Sequence, residues 1–210
     1  MKNLLITIIS ILFGGFAQAD SKPYKGKFHQ IPGKIEAEHY DEGAPGMAYH
    51  DVDEKNHGAD YREVTQVDIE KRSDASNGHG IGWTRKGEWI NYTVDVNESG
   101  TYTIEMPVAS EKVGGLFVLE IKGKAICAPI HIPDTGGWDK LKLIECGDVN
   151  LTKGRHVIRV VMLTEGQSGS IGDIDYFKFA KKSSTSEASS ASGGKKREEL
   201  KVEQEQSAKA

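Results

Sequence analysis

Trp89-Ile90-Asn91-Tyr92-Thr93-Val94-Asp95-Val96 decides the fold. Ile90, Tyr92, Val94 and Val96 take alternate positions, and Asn91, Thr93 and Asp95 fill the gaps. In an extended chain successive side chains point to opposite faces, so the first set makes an apolar face and the second a polar one. Outward from this stretch, Thr101 to Val108, Leu116 to Ile121, Ala125 to Ile132, Lys140 to Glu145, Arg155 to Leu163 and Ile174 to Phe179 are rich in β-branched and aromatic residues. Glycine, proline or asparagine separates most of them at short intervals. No segment of the domain holds a helical period for long. The pattern predicts an all-β domain, a β-sandwich of antiparallel strands with its loops gathered at two ends.

The flanks read differently. Lys2, the apolar run from Leu4 to Phe16 and the small residues around Gln18 in Ala17-Gln18-Ala19 predict a cleavable export signal over residues 1–19. It is too short and wrongly flanked for a membrane anchor, and no later stretch is long enough to span a bilayer. The expected location is secreted or periplasmic. Residues 20–29 form a leader, 30–180 the folded domain, and 181–210 a Ser-rich then charged tail too poor in apolar residues to fold alone. Asp41 to Gly82 is polar and glycine-dotted, which predicts mostly loop with one or two short strands. Removing the +3 carried by Lys2 and residues 181–210 from the overall −4 leaves about −7 on residues 20–180. An acidic domain without a basic stripe argues against nucleic acid as a partner.

Three features carry chemistry. Thr135-Gly136-Gly137-Trp138 sets a large apolar ring directly after a glycine turn. Such a ring either plugs the end of a core or offers a plate to a flat ligand with one apolar face, such as a pyranose. Cys127 and Cys146, the only two cysteines, would face one another if that turn joined two antiparallel strands symmetrically. A disulfide and two small buried thiols both fit an exported chain, whereas a catalytic thiol or a metal site lacks the needed spacing. Glu36 and Glu38, and likewise Asp173 and Asp175, stand two apart, so on strands each pair points to one side. If the first and last strands were neighbours, their carboxylates could share a hard cation such as calcium; otherwise they are solvated edges. Asp51, Asp53, Asn56 and Gly58 form another oxygen-rich run, which fits a hydrogen-bonded turn better than a second ion site.

Eight blocks occur in order: Ile31-Pro-Gly-Lys-Ile-Glu-Ala-Glu-His-Tyr40, Ala48-Tyr-His-Asp51, Gly82-Trp83, Gly87-Glu-Trp-Ile-Asn-Tyr-Thr-Val94, Gly100-Thr-Tyr-Thr103, Val108-Ala-Ser110, Pro133-Asp-Thr-Gly-Gly-Trp138 and Asp173-Ile-Asp-Tyr176. Together they resemble carbohydrate-binding module family 6. The resemblance implies a jelly-roll sandwich that binds polysaccharide or oligosaccharide without catalysis, carries a structural calcium, and usually accompanies polysaccharide-degrading enzymes. β-Glucan, xylan and agarose are among the ligand classes it implies. It places Trp83 and Trp138 as the two rings gripping a sugar, Asp173 where the family usually has a hydrogen-bonding asparagine, and Tyr49 or His50 on the loop closing the cleft. Glu36, Glu38 and Asp175 carry over as calcium ligands. Trp89, inside a strand motif, is expected to be framework. The aspartate at 173 is a departure: ionised, it only accepts hydrogen bonds, whereas asparagine also donates.

Two other classes fit the composition. A small secreted glycosidase would need a carboxylate pair about 5–9 Å apart, but the acidic pairs look committed to strand edges and no Gly-x-Ser-x-Gly or His-Glu-x-x-His motif occurs. A protein-interaction module would act through the charged tail.

Overall fold

The computed structural model describes residues 21–58 and 61–183. The export signal and nearly all of the tail lie outside the described residues. Within them, fourteen strands follow a 3-10 turn at Tyr24–Gly26: β1 His29–Ile31, β2 Gly33–Glu36, β3 Tyr49–His50, β4 Ile69–Lys71, β5 His79–Ile81, β6 Trp89–Val96, β7 Gly100–Ser110, β8 Leu116–Ile121, β9 Lys124–Ala125, β10 Ile130–His131, β11 Gly137–Leu151, β12 Gly154–Thr164, β13 Asp173–Ile174 and β14 Tyr176–Lys181. They form two sheets. One runs β1-β6-β12-β8-β10, with β3 beside β6 and β9 beside β8; the other runs β2-β14-β7-β13-β5-β4, with β11 on the free side of β7. Every ladder is antiparallel except β1 with β6.

Alternation on β6 builds the core as expected. Ile90, Tyr92, Val94 and Val96 are all buried against Ile104, Met106 and Val108 of β7 and Phe177 and Phe179 of β14. Tyr92 and Phe177 meet edge-on across the two sheets, with ring centroids 5.6 Å apart. The Tyr92 hydroxyl donates to the Ala37 carbonyl at 2.7 Å, which satisfies its polar end within the core.

Several expected strands differ in detail. The stretch from Ala125 to Ile132 divides into β9 and β10, because Pro129 cannot donate to a ladder. Strand β11 extends from Gly137 to Leu151, with register shifts after Gly137 and Cys146. The Gly136-Gly137 turn is not a hairpin: β10 pairs with β8 and β11 with β7, so the chain crosses from one sheet to the other. Strands β2 and β14 are neighbours, and Glu36 stands opposite Tyr176. The last strand is interrupted at Asp175, whose N–H donates to the Pro107 carbonyl while its carbonyl accepts from the N–H of Ala37. The leader packs on the domain: Lys22 and Glu42 exchange backbone hydrogen bonds, and Tyr24 stacks on His39 at 4.3 Å.

Candidate functional site

At one end of the sandwich, three connections meet: the one after β5, the one between β10 and β11, and the one between β12 and β13. They enclose a groove of about 340 Å³ lined by Trp83, Trp138, Glu70, Arg85, Asp173 and the Ser168–Ser170 turn. The two tryptophans expected to act together therefore line one groove. Trp83 is 45% exposed and its backbone is left-handed at φ 48°, a conformation that non-glycine residues adopt only when their surroundings enforce it.

Thr84 supplies that enforcement. Its buried hydroxyl donates to the Gly172 carbonyl at 2.6 Å and accepts from the Gly172 N–H at 3.1 Å. Its carbonyl accepts from the Ile171 N–H and the Ser170 hydroxyl. The loop carrying Trp83 is thus pinned to the loop that forms the opposite wall. Trp138 is held through its own turn. The N–H of Thr135 donates to the Ser110 carbonyl, the Thr135 hydroxyl accepts from the Ser110 N–H, and the Asp134 carboxylate accepts from the Gly136 N–H at 2.8 Å. Gly136, at φ 84°, takes the left-handed position this turn requires.

Arg72 ties the floor of the groove together. Its side chain, only 4% exposed, donates to Asp173 at 2.8 Å, to Asp74 at 2.9 and 3.1 Å, to Glu70, and to the carbonyl of Trp138 at 2.6 Å. The groove-lining aspartate and the tryptophan backbone therefore share one guanidinium. Asp173 is buried; burial and the Glu70 charge push its carboxyl upward, against the pull of Arg72. Ser168 also lines the groove, and its Oγ is buried without a partner. Sequence reasoning missed Arg72 and Thr84. Both lie beside irregular chain and find their partners 101 and 88 positions away.

Tyr49 and His50 do not close the groove. Strand β3 points Tyr49 into the core, 2% exposed and edge-on to Tyr40, while His50 faces outward beside Trp89. Neither lines the groove, whereas Glu70 and Arg85 do. Trp89 lies on the outer side of its sheet with the guanidinium of Arg159 over its ring at 3.8 Å, so it is packed rather than offered to the groove.

The acidic pairs part company. The chain turns after Glu36, so Glu38 lies in a turn rather than on a strand; Asp173 lines the groove, whereas Asp175 accepts from the Ser76 N–H. Ser76 joins Glu36 to Asp175, donating from its hydroxyl at 2.8 and 3.3 Å, and its N–H also reaches Asp175. Glu38 is fully buried; Asn77 donates to one carboxylate oxygen at 2.6 Å and the other oxygen has no partner. Burial pushes Glu38 up to about 7, and the charges of Glu36 and Asp175 act in the same direction. An orphaned, buried carboxylate oxygen suits a cation. Among the described residues no three His, Cys, Asp or Glu side chains gather tightly enough to hold a metal alone, so backbone carbonyls would have to complete the shell. The Asp51 to Gly58 run is a series of side-chain-to-backbone turns, with Asp51, Asp53 and Asn56 each accepting from an N–H two residues on. Cys127 and Cys146 are free, half-buried thiols.

The sequence of residues 57–181 matches the family model of carbohydrate binding module family 6. The chain belongs to this family. Its modules bind carbohydrate and are not catalytic. The chain is 34% identical over 98 residues to the clotting factor G alpha subunit of Tachypleus tridentatus, covering 46% of this chain and 14% of that protein. It is 34% identical over 64 residues to beta-agarase AgaA of Microbulbifer thermotolerans, covering 30% of this chain and 14% of the agarase. It thus matches a small part of each of these longer proteins. A β-1,3-glucan-binding family 6 module from Bacillus halodurans superposes with a TM-score of 0.54 at 22% identity, over 73% of this chain and 98% of that one; this likeness is one of fold.

Proposed function

We propose that the groove between Trp83 and Trp138 binds one sugar ring of a β-glucan, xylan or agarose-class chain, with the two indoles on opposite faces. The observation that carries this reading is the placement of both tryptophans on one groove whose floor is Asp173. Burying on the order of 100–150 Å² of apolar sugar and ring surface contributes about 3 kcal/mol at roughly 25 cal/mol per Å². Hydrogen bonds to Asp173, Glu70 and Ser168 add about 1 kcal/mol each net, because water competes for the same hydroxyls. After ordering costs, dissociation constants fall in the micromolar to millimolar range. The rings and the polar floor contribute comparably to affinity, and the floor selects hydroxyl geometry.

Calcium at Glu36, Glu38 and Asp175 would relieve their mutual repulsion and bind the turn after β2 to the break in the last strand. The unpartnered oxygen of Glu38 supports this role. Export by the signal at residues 1–19 would bring the module to extracellular polysaccharide, where polysaccharide-degrading enzymes are its natural companions. A glycosidase is disfavoured. The groove carboxylates Glu70 and Asp173 both pair with the guanidinium of Arg72, which commits them to holding the groove rather than to acid–base work.

The test is retention on a panel of immobilised β-1,3-glucan, mixed-linkage β-glucan, xylan and agarose. Specific retardation on at least one, without release of reducing ends, is expected. Retention on none of them would defeat the proposal.

A further inference from the structure

Two arginines serve the groove, and only one of them has donors to spare. A guanidinium carries five N–H bonds. Those of Arg72 are all used inside the protein: Nε and one terminal nitrogen donate to Asp74, that same terminal nitrogen also to the Trp138 carbonyl, and the other to Glu70 and Asp173. Arg85 differs. It lines the groove two residues after Trp83 and is exposed. Its backbone is fixed, since its N–H donates to the Glu88 carboxylate at 2.8 Å and its carbonyl accepts from the Glu88 N–H at 3.3 Å. Its guanidinium has no hydrogen-bond or ion-pair partner among the described residues. A second donor of the groove is also unspent: the Ser168 Oγ is buried and has no partner. Thr84 joins the chain bearing Arg85 to the turn bearing Ser168, because its carbonyl accepts from the Ser170 hydroxyl and the Ile171 N–H.

We propose that the groove takes an acidic polysaccharide, in which the clasped sugar or its immediate neighbour carries a carboxylate or sulfate that Arg85 receives. The inference rests on the groove reading above and narrows its ligand class. A guanidinium meets two oxygens of a carboxylate or sulfate with a pair of parallel N–H bonds, a geometry that a single hydroxyl cannot fill. Glu70 and Asp173 also line the groove, but each is paired with Arg72, whereas the charge of Arg85 is left for a ligand. The charge of the whole domain sets a limit. About −7 over residues 20–180 repels a densely charged polymer. The chain that fits is therefore sparsely substituted, a mostly neutral backbone with scattered acidic groups. Arg85 is then a specificity-determining residue: the indoles hold a pyranose, and the guanidinium favours the charged one. Because Glu88 already fixes its main chain, only the side chain of Arg85 has to be ordered on binding.

The test is calorimetric titration of the full chain, at about 50 mM salt so that charge is little screened. Laminaritetraose, xylotetraose and neoagarotetraose are each compared with counterparts carrying one carboxylate or one sulfate. The charged member of at least one pair is expected to bind about threefold to tenfold more tightly, as suits a charge-assisted bond at an exposed site. Raising salt to about 500 mM should shrink that ratio. Arg85→Gln keeps amide donors without the charge and should bring the ratio close to one, and Arg85→Lys should restore part of it. Both variants should melt with wild type, since the guanidinium holds nothing in the fold. A preference confined to the carboxylate or to the sulfate supports the inference and names the group. Equal or weaker affinity for the charged members in wild type would overturn it, as would a preference that survives Arg85→Gln. Either result leaves binding of the neutral sugars, and so the groove reading, in place; binding of no oligosaccharide in either set would defeat both.

Discussion

Replacing Arg72 by methionine tests how the groove is held together. The substitution keeps a long apolar stem and removes the cation. Asp173, 5% exposed at its side chain, would lose its ion-pair partner, and Glu70 and Asp74 would lose theirs at 23% and 30% exposure. Breaking a buried ion pair from one side costs about 3–5 kcal/mol, because a charge is left desolvated and unpaired. The more exposed partners add little, since water screens them. Loss of the donor to the Trp138 carbonyl adds about 1 kcal/mol. At roughly 2–4 °C per kcal/mol for a domain of this size, the melting midpoint should fall by about 10 °C or more. Differential scanning calorimetry reads this directly. The added substitution Asp173→Asn removes the stranded charge and should recover part of the loss, giving a coupling of about 1–3 kcal/mol in a double-mutant cycle. If Arg72→Met melts within about 2 °C of wild type, the guanidinium does not hold the groove and the reasoning fails.

Four further outcomes are expected. Trp83→Ala removes one ring from a side chain already 45% exposed, so polysaccharide affinity should drop about tenfold, near 1.4 kcal/mol, with little change in melting; calorimetric titration checks both. Thr84→Val keeps shape but strands Gly172, and should cost about 1–3 kcal/mol in denaturant unfolding. Chelation should lower the melting midpoint, and Glu38→Gln should abolish most of that sensitivity; identical melts with and without chelator would speak against calcium at Glu36, Glu38 and Asp175. Burial, reinforced by the charge of Asp51, raises the Glu88 carboxyl from its ordinary 4.5 to about 8. Its proton is held more tightly in the folded state, so its stabilising contribution is complete below about pH 4.5 and declines as pH rises toward 8. Unfolding free energies across that window should flatten in Glu88→Gln.

Local period carried much of the fold. Strands β6 and β8 match the expected Trp89–Val96 and Leu116–Ile121, because alternation and a compact apolar run need no partner to be read. What could not be read was which strand each one meets. A glycine turn looks the same whether the chain doubles back or crosses to the other sheet, and here it crosses. The pairing of β2 with β14 was anticipated only as a condition for shared carboxylates, and it holds for Glu36 while the chain turns Glu38 away from the strand. That Trp83 and Trp138 line one groove was legible only through the family resemblance, since an indole after a glycine turn can equally plug the end of a core. Tyr49 and His50 were not, since a two-residue strand has no period to tell its inward side from its outward one. Arg72 was invisible for a different reason. A charged residue in a polar stretch reads as solvated, and only the fold brings Asp173 and the Trp138 carbonyl to it.

The most direct test of the paired-indole groove uses the side-chain N–H signals of the three tryptophans. Assigned through Trp83→Ala and Trp138→Ala, they can be followed by NMR while a soluble oligosaccharide of the retained class is added. The account requires the Trp83 and Trp138 signals to shift together along one saturable curve while Trp89, beneath Arg159, stays still. Saturation with Trp83 and Trp138 unmoved would contradict it.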